Sequence, residues 1–550
     1  MARTPDPPSP PSSRARVGRA LLLAVLLGSC APEPAPVAPP AKARNVLIVL
    51  LDTLRADRLP TYGAARATAP GLEALAKDAF VFEDCQSAAP LTVASLLSLM
   101  TSLYPEVHGV QGEFNPGKMS EKVTTLAEVL SARGYATAAF TEGGYARPDF
   151  GLGQGFQVFP STPGDDDPNV THLLAKSRLP DNLARTLAWL REPREQPFFL
   201  FFHTYEIHAP YWTEEANVRR FRPAFDEAAD HARVAGAIER WNRERAATRE
   251  DALLLLQHLY QCPLAGLPAL DDPDAFERRA RELGVAPSDA VRCPPVVDLV
   301  RDLYDASIRT TDDALLELWR ALDELGVADD TLVIVTSDHG EGLGDHGEME
   351  HSNVLHEEAL RVPLLVRVPG GSSAPRRLAG LVRSVDVAPT VLELLGLDVA
   401  GFAFQGRSRA PWLVGEAALE PARVAFSHAR RVAPDQPPQY SVRDERWRLV
   451  HEPRTNRTWL YDRRADPGEL VDVAREHPEE VQWLRGLLER QAEQDRWLRN
   501  RLAAAPGALE LDGKALRELR ALGYAGEDDD AAPGPSGRRS EEVRPPAGPR

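Results

Sequence analysis

Asn45-Val46-Leu47-Ile48-Val49-Leu50-Leu51-Asp52 and, far downstream, Thr331-Leu332-Val333-Ile334-Val335-Thr336-Ser337-Asp338-His339-Gly340 decide how this chain folds. Each is a continuous apolar run of strand length, rich in β-branched residues, that stops abruptly at an acidic residue. Strands buried on both faces of a parallel sheet read this way, and the carboxyl ends of such strands deliver functional groups to a crevice. Two carboxylates and the His339 imidazole at one sheet edge make a metal site, whereas either Asp alone would serve as a helix cap after its strand.

Outward from these runs, strand candidates alternate with helical stretches. Residues 135–140, 197–202 and 362–368 read as further strands, with helices near 71–79, from Thr92 onward and near 305–325. The alternation predicts an α/β fold, a large mainly parallel sheet sandwiched by helices over residues 45–415. Charged helical sequence at 232–251 and 274–283 marks 211–299 as an insertion, either a helical lid that selects the substrate or a solvated excursion without that role. Residues 440–450 and 459–462 suggest strands joined by turns. An amphipathic helix comes next, from about His477 to Gln494, with Val481, Leu484, Leu487 and Leu488 at helical spacing. Residues 416–500 are therefore expected to form a small C-terminal α+β subdomain, succeeded by a helical segment at 501–525 and a Pro-, Gly- and charge-rich disordered tail at 526–550.

The 550 residues are 43% hydrophobic and 26% charged, ordinary for a globular enzyme. A net charge of −17 argues against a nucleic-acid partner, whose footprint would be a basic stripe. It would also repel an anionic substrate at long range, so the pocket must be locally positive. At the N-terminus, Arg14, Arg16 and Arg19 precede an apolar run at 20–27 and then Gly28-Ser29-Cys30, the pattern of a secretory signal. That run falls short of the roughly 20 residues a spanning helix needs. Leu27-Gly28-Ser29-Cys30 resembles a bacterial lipobox. The resemblance implies that residues 1–30 are a lipoprotein signal peptide and that a lipidated Cys30 anchors an exported protein to the periplasmic or cell-surface side of a membrane; a plain signal or an uncleaved anchor is the alternative. Pro32, Pro34, Pro36, Pro39 and Pro40 make residues 31–44 a stiff tether. Cys262 and Cys293 share the insertion and either close it with a disulfide or remain two buried thiols. Cys85 lies near Thr92, but its neighbours form no catalytic motif.

Leu51-Asp52-Thr53-Leu54-Arg55-Ala56-Asp57, then Ser98-Leu99-Met100-Thr101-Ser102-Leu103-Tyr104-Pro105 with His108-Gly109, then Ser337-Asp338-His339-Gly340-Glu341-Gly342-Leu343-Gly344-Asp345-His346-Gly347 occur in the order seen in the sulfatase family of the alkaline phosphatase superfamily. The resemblance continues through His203-Thr204-Tyr205-Glu206-Ile207-His208-Ala209-Pro210-Tyr211, Tyr304-Asp305-Ala306-Ser307-Ile308 and Val385-Asp386-Val387-Ala388-Pro389-Thr390, and covers about residues 45 to 490 apart from the insertion. It implies an alkaline phosphatase-like fold and a hydrolase of sulfuric or phosphoric esters. Its substrate would be a small anionic ester or a sulfated or phosphorylated glycan or lipid.

Alignment with the family's nucleophile segment puts Thr92 at the attacking position and, with Asp52, Asp338 and His339, among the ligands of one divalent metal. His208 and His351 match positions that hold the transferred group or protonate the leaving oxygen, and His346, His356, His108 and His203 are weaker candidates. Arg55 would neutralise a substrate oxygen or simply form a salt bridge. Sulfatases generally convert Cys or Ser in Cys/Ser-x-Pro-x-Arg into formylglycine. Here Thr92, Ala94 and Leu96 occupy those positions, so no aldehyde forms and the pattern resembles the phosphodiesterases, phosphonate hydrolases and phosphoglycerol transferases of the superfamily. Thr53 and His339 stand where sulfatases usually carry Asp and Asn, which favours zinc or manganese, with calcium or magnesium as alternatives. The family's lysines and histidine are not evident at 141–145. A transferase of the same superfamily and a catalytically inactive binding lipoprotein are the competing expectations.

Overall fold

The computed structural model describes residues 43–112, 117–160, 178–209, 211, 213–226, 230, 295–347, 349–351, 355–370, 376–414, 424–430, 438–509, 511 and 519. The expected signal peptide, nearly all of the tether, Cys30, the Cys262–Cys293 pairing, most of the 211–299 insertion, most of the 501–525 segment and the 526–550 tail lie outside the described residues.

The strands are β1 (Asn45–Leu51), β2 (Phe80–Gln86), β3 (Ala136–Phe140), β4 (Phe198–Thr204), β5 (Thr331–Thr336), the two-residue β6 (Gly342–Leu343) and β7 (Met349–Glu350), β8 (Arg361–Arg367), β9 (Arg376–Arg383), β10 (Ala425–Ala429), β11 (Gln439–Arg443), β12 (Trp447–Glu452) and β13 (Arg457–Asp462). Seven form the main sheet in the order β3-β4-β1-β5-β8-β2-β9. β3, β4, β1 and β5 pair in parallel, β8 runs against both of its neighbours, and β2 pairs with β9 in parallel. The mainly parallel α/β fold is thus present with one reversed strand, β8. Within the run from β5 to β8 the described helix is only the four residues Glu357–Leu360, not the crossover helix that usually precedes a parallel partner. The sequence pattern alone did not show β2, β9 or β10. Glu83 and Asp84 interrupt the apolar run of β2, and Arg376 and Arg377 open an edge strand whose charge guards it against pairing with another chain.

β1 lies inside the sheet, between β4 and β5, with every residue buried. Leu51 is level with Thr204, and Leu50 with both His203 and Thr336. The ends of β1, β4 and β5 are therefore flush, and the residues just past each strand emerge at one edge. The helix Thr92–Thr101, buried at all ten residues, begins near this edge. The helix Pro295–Glu324 starts earlier than the expected 305, inside the segment read as insertion. Its Asp312 accepts the backbone N–H groups of Gly71 and Leu72, each at 2.7 Å, and so caps the helix Pro70–Ala76.

The C-terminal sheet, β10-β11-β12-β13, is antiparallel and carries the helix Pro478–Leu502. Two guanidiniums, each 1% exposed, join it to the main domain: Arg443 grips Asp84 (2.6 Å), and Arg448 reaches Glu469 (2.6 Å), Glu357 (2.8 Å) and Gln86 (3.0 Å). Nearby, His346 donates from Nδ1 to Glu358 (2.7 Å) and from Nε2 to the Glu469 carbonyl (2.9 Å). Burial opposes the imidazolium, but these hydrogen bonds and the charges of Glu358 and Glu469 outweigh it and lift the pKa to about 9. A raised folded pKa stabilises the fold most below the unfolded value, and the contribution is lost as pH rises through the folded one. His346→Gln should therefore destabilise the protein relative to wild type near pH 6.5, with the difference in urea-unfolding free energy shrinking towards about pH 9. A difference that stays constant across that range would show that His346 is not held as an imidazolium.

Candidate active site

At the flush edge, Asp52 comes directly after β1 and Asp338 lies two residues past β5, both with 0% exposure. Ligand atoms of Asp52, Asp338 and His339 lie within 4.8 Å of one another. Asp52 Oδ2 faces His203 Nε2 at 2.9 Å, and Asp338 Oδ1 accepts Thr53 N–H and Ser337 O–H, each at 3.3 Å. The other two carboxylate oxygens, Asp52 Oδ1 and Asp338 Oδ2, are buried and receive no hydrogen bond. Unsatisfied buried carboxylate oxygens are costly unless a cation meets them.

His339 completes the donor set. Its Nδ1 lies 2.9 Å from the Gly340 carbonyl, a contact that requires the proton there and so assigns the lone pair to Nε2. That Nε2 is 3.3 Å from Asp338 Oδ2 and 3.3 Å from Thr92 Oγ. Two carboxylates, one imidazole and one hydroxyl thus converge with their acceptor atoms inward, and the residues fit a divalent cation. Burial and the facing charges of Asp338 and Glu341 push the Asp52 carboxyl well above the usual range. Asp338 is held below it despite burial, by the imidazoles of His339 and His203.

Thr92 is the first residue of its helix; the cap position is Leu91, with no side-chain cap. Its hydroxyl is therefore not consumed in capping. Helix starts favour anions, because free N–H groups and the macrodipole both point outward there. The turn after Asp52 is strained, with Thr53 at φ 58°. Tyr304 holds it, donating to the Thr53 carbonyl (2.6 Å) and accepting from Arg55 N–H (2.9 Å).

The histidines form a second layer. The ring of His351 lies 4.3 Å from that of His339 and 4.9 Å from that of His208. His351 Nδ1 faces Glu341 (3.1 Å), whose other oxygen accepts from the Tyr211 hydroxyl (3.2 Å). Burial raises Glu341 to about 7 and lowers His203 and His208 to about 4, so both imidazoles are neutral at physiological pH. His208 donates from Nδ1 to the Ala209 carbonyl at 2.6 Å, which leaves the lone pair on Nε2.

The structure brings together Asp52, Thr92, Asp338, His339, His208 and His351. Arg55 is arranged differently from a substrate-binding residue: Nε and Nη2 hold Asp57 (2.9 and 2.8 Å), and Nη1 holds Asp345 (2.5 Å) and the Glu341 carbonyl (3.0 Å). A substrate anion would have to displace a carboxylate, so Arg55 braces the loop instead. His346 and His356 stack on each other at 3.9 Å beside Glu358 and Glu469, and His108 is buried against Ser98 (3.1 Å). Cys85 is a free, buried thiol of β2, which burial and the charges of Asp386 and Asp84 push well above its ordinary pKa. Sequence reading missed Tyr205, Tyr211 and Glu341 and undervalued His203. A usable signal existed for two of them: the period of a strand puts residues 203 and 205 on one side, facing the residues just past β1.

The sulfatase family model matches residues 44–397, and that of the N-sulphoglucosamine sulphohydrolase C-terminal region matches residues 344–495. N-acetylglucosamine-6-O-sulfatase of Bacteroides thetaiotaomicron is 24% identical over 491 residues, covering 82% of this chain and 86% of that protein. The multifunctional alkaline phosphatase superfamily protein PehA of Trinickia caryophylli is 26% identical, covering 78% and 91%. In fold, the chain is similar to the crystal structure of the phosphonate monoester hydrolase of Agrobacterium radiobacter, with a TM-score of 0.61 at 23% identity over 82% of this chain and 96% of that one. With the family match running from β1 past the end of β9 and taking in every residue of the metal-competent cluster, this chain belongs to the sulfatase family of hydrolases.

Proposed function

We propose that this hydrolase cleaves an anionic ester with Thr92 as covalent nucleophile and prefers phosphodiesters or phosphonate monoesters to sulfates. The observation that carries the reading is the Thr92 hydroxyl, buried at a helix start and 3.3 Å from His339 Nε2; the motif resemblance places Thr92 where the family's aldehyde precursor stands. Asp52, Asp338, His339 and Thr92 would hold one divalent cation. When bound, it supplies charge that neutralises the two carboxylates and acidifies a hydroxyl beside it.

In the proposed cycle Thr92 Oγ bonds to the phosphorus or sulfur as the bond to the leaving alcohol breaks, and the His208–His351 pair carries a proton to that alcohol. Water then cleaves the threonyl ester, with a neutral His208 as acceptor for its proton. Formylglycine can expel sulfate through its second hydroxyl, whereas a threonyl ester depends on direct attack by water. Relatives described as a phosphonate monoester hydrolase and as a multifunctional superfamily protein support the phosphoryl preference. The N-terminal pattern supports a further part of the reading, that Cys30 is lipidated and tethers the enzyme to a membrane through the Pro-rich segment.

Elemental analysis of purified protein should find near-stoichiometric zinc or manganese, lost in Asp338→Ala; calcium alone would refute the weight given to His339. In side-by-side assays kcat/KM for an aryl phosphodiester or phosphonate monoester should exceed that for an aryl sulfate by at least about tenfold, ~1.4 kcal/mol of transition-state preference. Thr92→Ala should abolish both activities and Thr92→Ser retain part. Faster sulfate turnover would remove the preference, and activity in Thr92→Ala the nucleophile. Finally, Cys30→Ala should shift the expressed protein from the membrane fraction to a soluble or misprocessed form, and identical soluble products from both would rule out the anchor.

A further inference from the structure

We infer that His203 is a positioning residue of the metal site: its Nε2–H holds Oδ2 of Asp52, so that Asp52 presents Oδ1 alone to a cation. The inference rests on the reading that Asp52, Thr92, Asp338 and His339 hold one divalent metal. His203 belongs to β4, where the parallel register sets it level with Leu50, and Asp52 N–H extends that pairing past β1 by donating to the Thr204 carbonyl at 3.1 Å. Asn182 anchors the same strand end, its side-chain amide donating to the His203 carbonyl at 2.8 Å. With both backbones fixed in this way, His203 Nε2 stands 2.9 Å from Asp52 Oδ2, and both side chains are fully buried. The imidazole has little room to turn. The ring of Tyr205 stands edge-on to it at 4.7 Å, and Phe201, on the same side of the strand, lies at 6.5 Å.

The partners decide which nitrogen carries the proton. An ionised carboxylate only accepts, so the 2.9 Å contact needs the proton on Nε2, whereas a proton on Nδ1 would be buried with no acceptor among the described residues. The hydrogen bond is thus donated to a charged oxygen in dry surroundings, where such bonds are strongest. Its consequence is a division of labour within the carboxylate. Oδ2 is occupied by His203, while Oδ1 is buried and receives no hydrogen bond. The same division recurs at Asp338, whose Oδ1 accepts Thr53 N–H and Ser337 O–H while Oδ2 accepts none. One oxygen from each carboxylate, His339 Nε2 and the Thr92 hydroxyl make a set of four donors. Such a set suits zinc, usually bound by four ligands, better than calcium, which takes six to eight oxygens. Without His203, Oδ2 would lose its partner and the Asp52 carboxylate would be free to turn, which weakens the site as loss of any hydrogen bond that orients a ligand does.

The test compares His203→Phe with His203→Gln. Phenylalanine keeps a flat ring in the slot beside Phe201 and Tyr205 but has no donor, whereas glutamine gives up the ring and carries an N–H donor on a chain long enough to reach the place of Nε2. Zinc affinity of the full-length, metal-stripped protein is measured by titration against a competing chelator. His203→Phe should bind zinc about 10–100-fold more weakly than wild type. His203→Gln should stay within about threefold of wild type, and in an Asp52→Asn background His203→Phe should weaken zinc by no more than about threefold further, because its effect passes through Asp52. If His203→Phe does not fold, His203→Asn takes its place, since an amide one methylene shorter falls short of Asp52. A donor-free variant that binds zinc within about threefold of wild type overturns the inference. So does a loss in His203→Gln as large as in His203→Phe, which would assign His203 to packing. Wild-type protein that takes up neither zinc nor manganese would instead remove the reading of the metal site, and this inference with it.

Discussion

Two carboxylates held in apolar surroundings at the tips of neighbouring strands are the constraint on which the rest of the molecule depends. Asp52 and Asp338 are wholly buried, and their ligand atoms fall within 4.8 Å of each other. At that separation and an effective dielectric of about 20, two like charges repel by ~3 kcal/mol. Their ion contacts among the described residues are with imidazoles, His203 at 2.9 Å and His339 at 3.3 Å. Such an arrangement persists only if the surrounding structure enforces it. Thr53 sits in a strained turn pinned by Tyr304, while the Asp338 carbonyl accepts the hydroxyls of both Ser87 and Ser95. A cation bound there would remove a repulsion that the fold has already paid to assemble.

The C-terminal subdomain takes part in that enforcement. The turn after His339 hangs on two carbonyls, with Gly340 N–H donating to Ala359 (2.8 Å) and Glu341 N–H to Glu358 (3.2 Å). Gly340 has no substitute there, since a Cβ would come 1.9 Å from the Glu358 carbonyl oxygen. The helix Glu357–Leu360 that presents those carbonyls is itself gripped from the other side. Glu357 binds Arg448 (2.8 Å) and Arg463 (2.7 Å), its N–H donates to Glu469 (3.1 Å), and Glu358 binds His346. The metal-competent turn is thereby clamped between two domains rather than carried on a free loop. Removing one partner of such a buried ionic lattice typically costs about 3–5 kcal/mol, so the clamp is stiff.

Charge in the pocket also differs from that of an anion-binding site built on many fixed cations. The chain as a whole carries −17, Arg55 is enclosed by acids, and Glu341 adds a third buried carboxyl to the cluster. A helix start and two neutral imidazoles stand around residues fit to hold one dication. Neutral preorganised donors stabilise developing charge without attracting a multiply charged ground state.

From the sequence alone the sheet's two central strands were legible, because Val46–Leu51 and Leu332–Val335 are apolar without interruption and each leads to a carboxylate. So were the β4 run, the helix that opens at Thr92, the C-terminal antiparallel strands and the residues of the candidate metal cluster that lie beside those runs. Periodicity and strand ends are local properties, and local pattern records them. Reversal of β8, the edge strand β9 and the insertion of β2 between them depend on which segments meet across the sheet, and polar residues such as Asp84 pair only after Arg443 arrives from 359 residues away. The same holds for function. Asp52, Asp338 and His339 announced themselves by their strands, whereas the enclosure of Arg55, the Glu341–His351 contact and the closeness of the His351 ring to His339 and His208 arise from side chains brought together by the fold, and only the folded chain decides which of them meet.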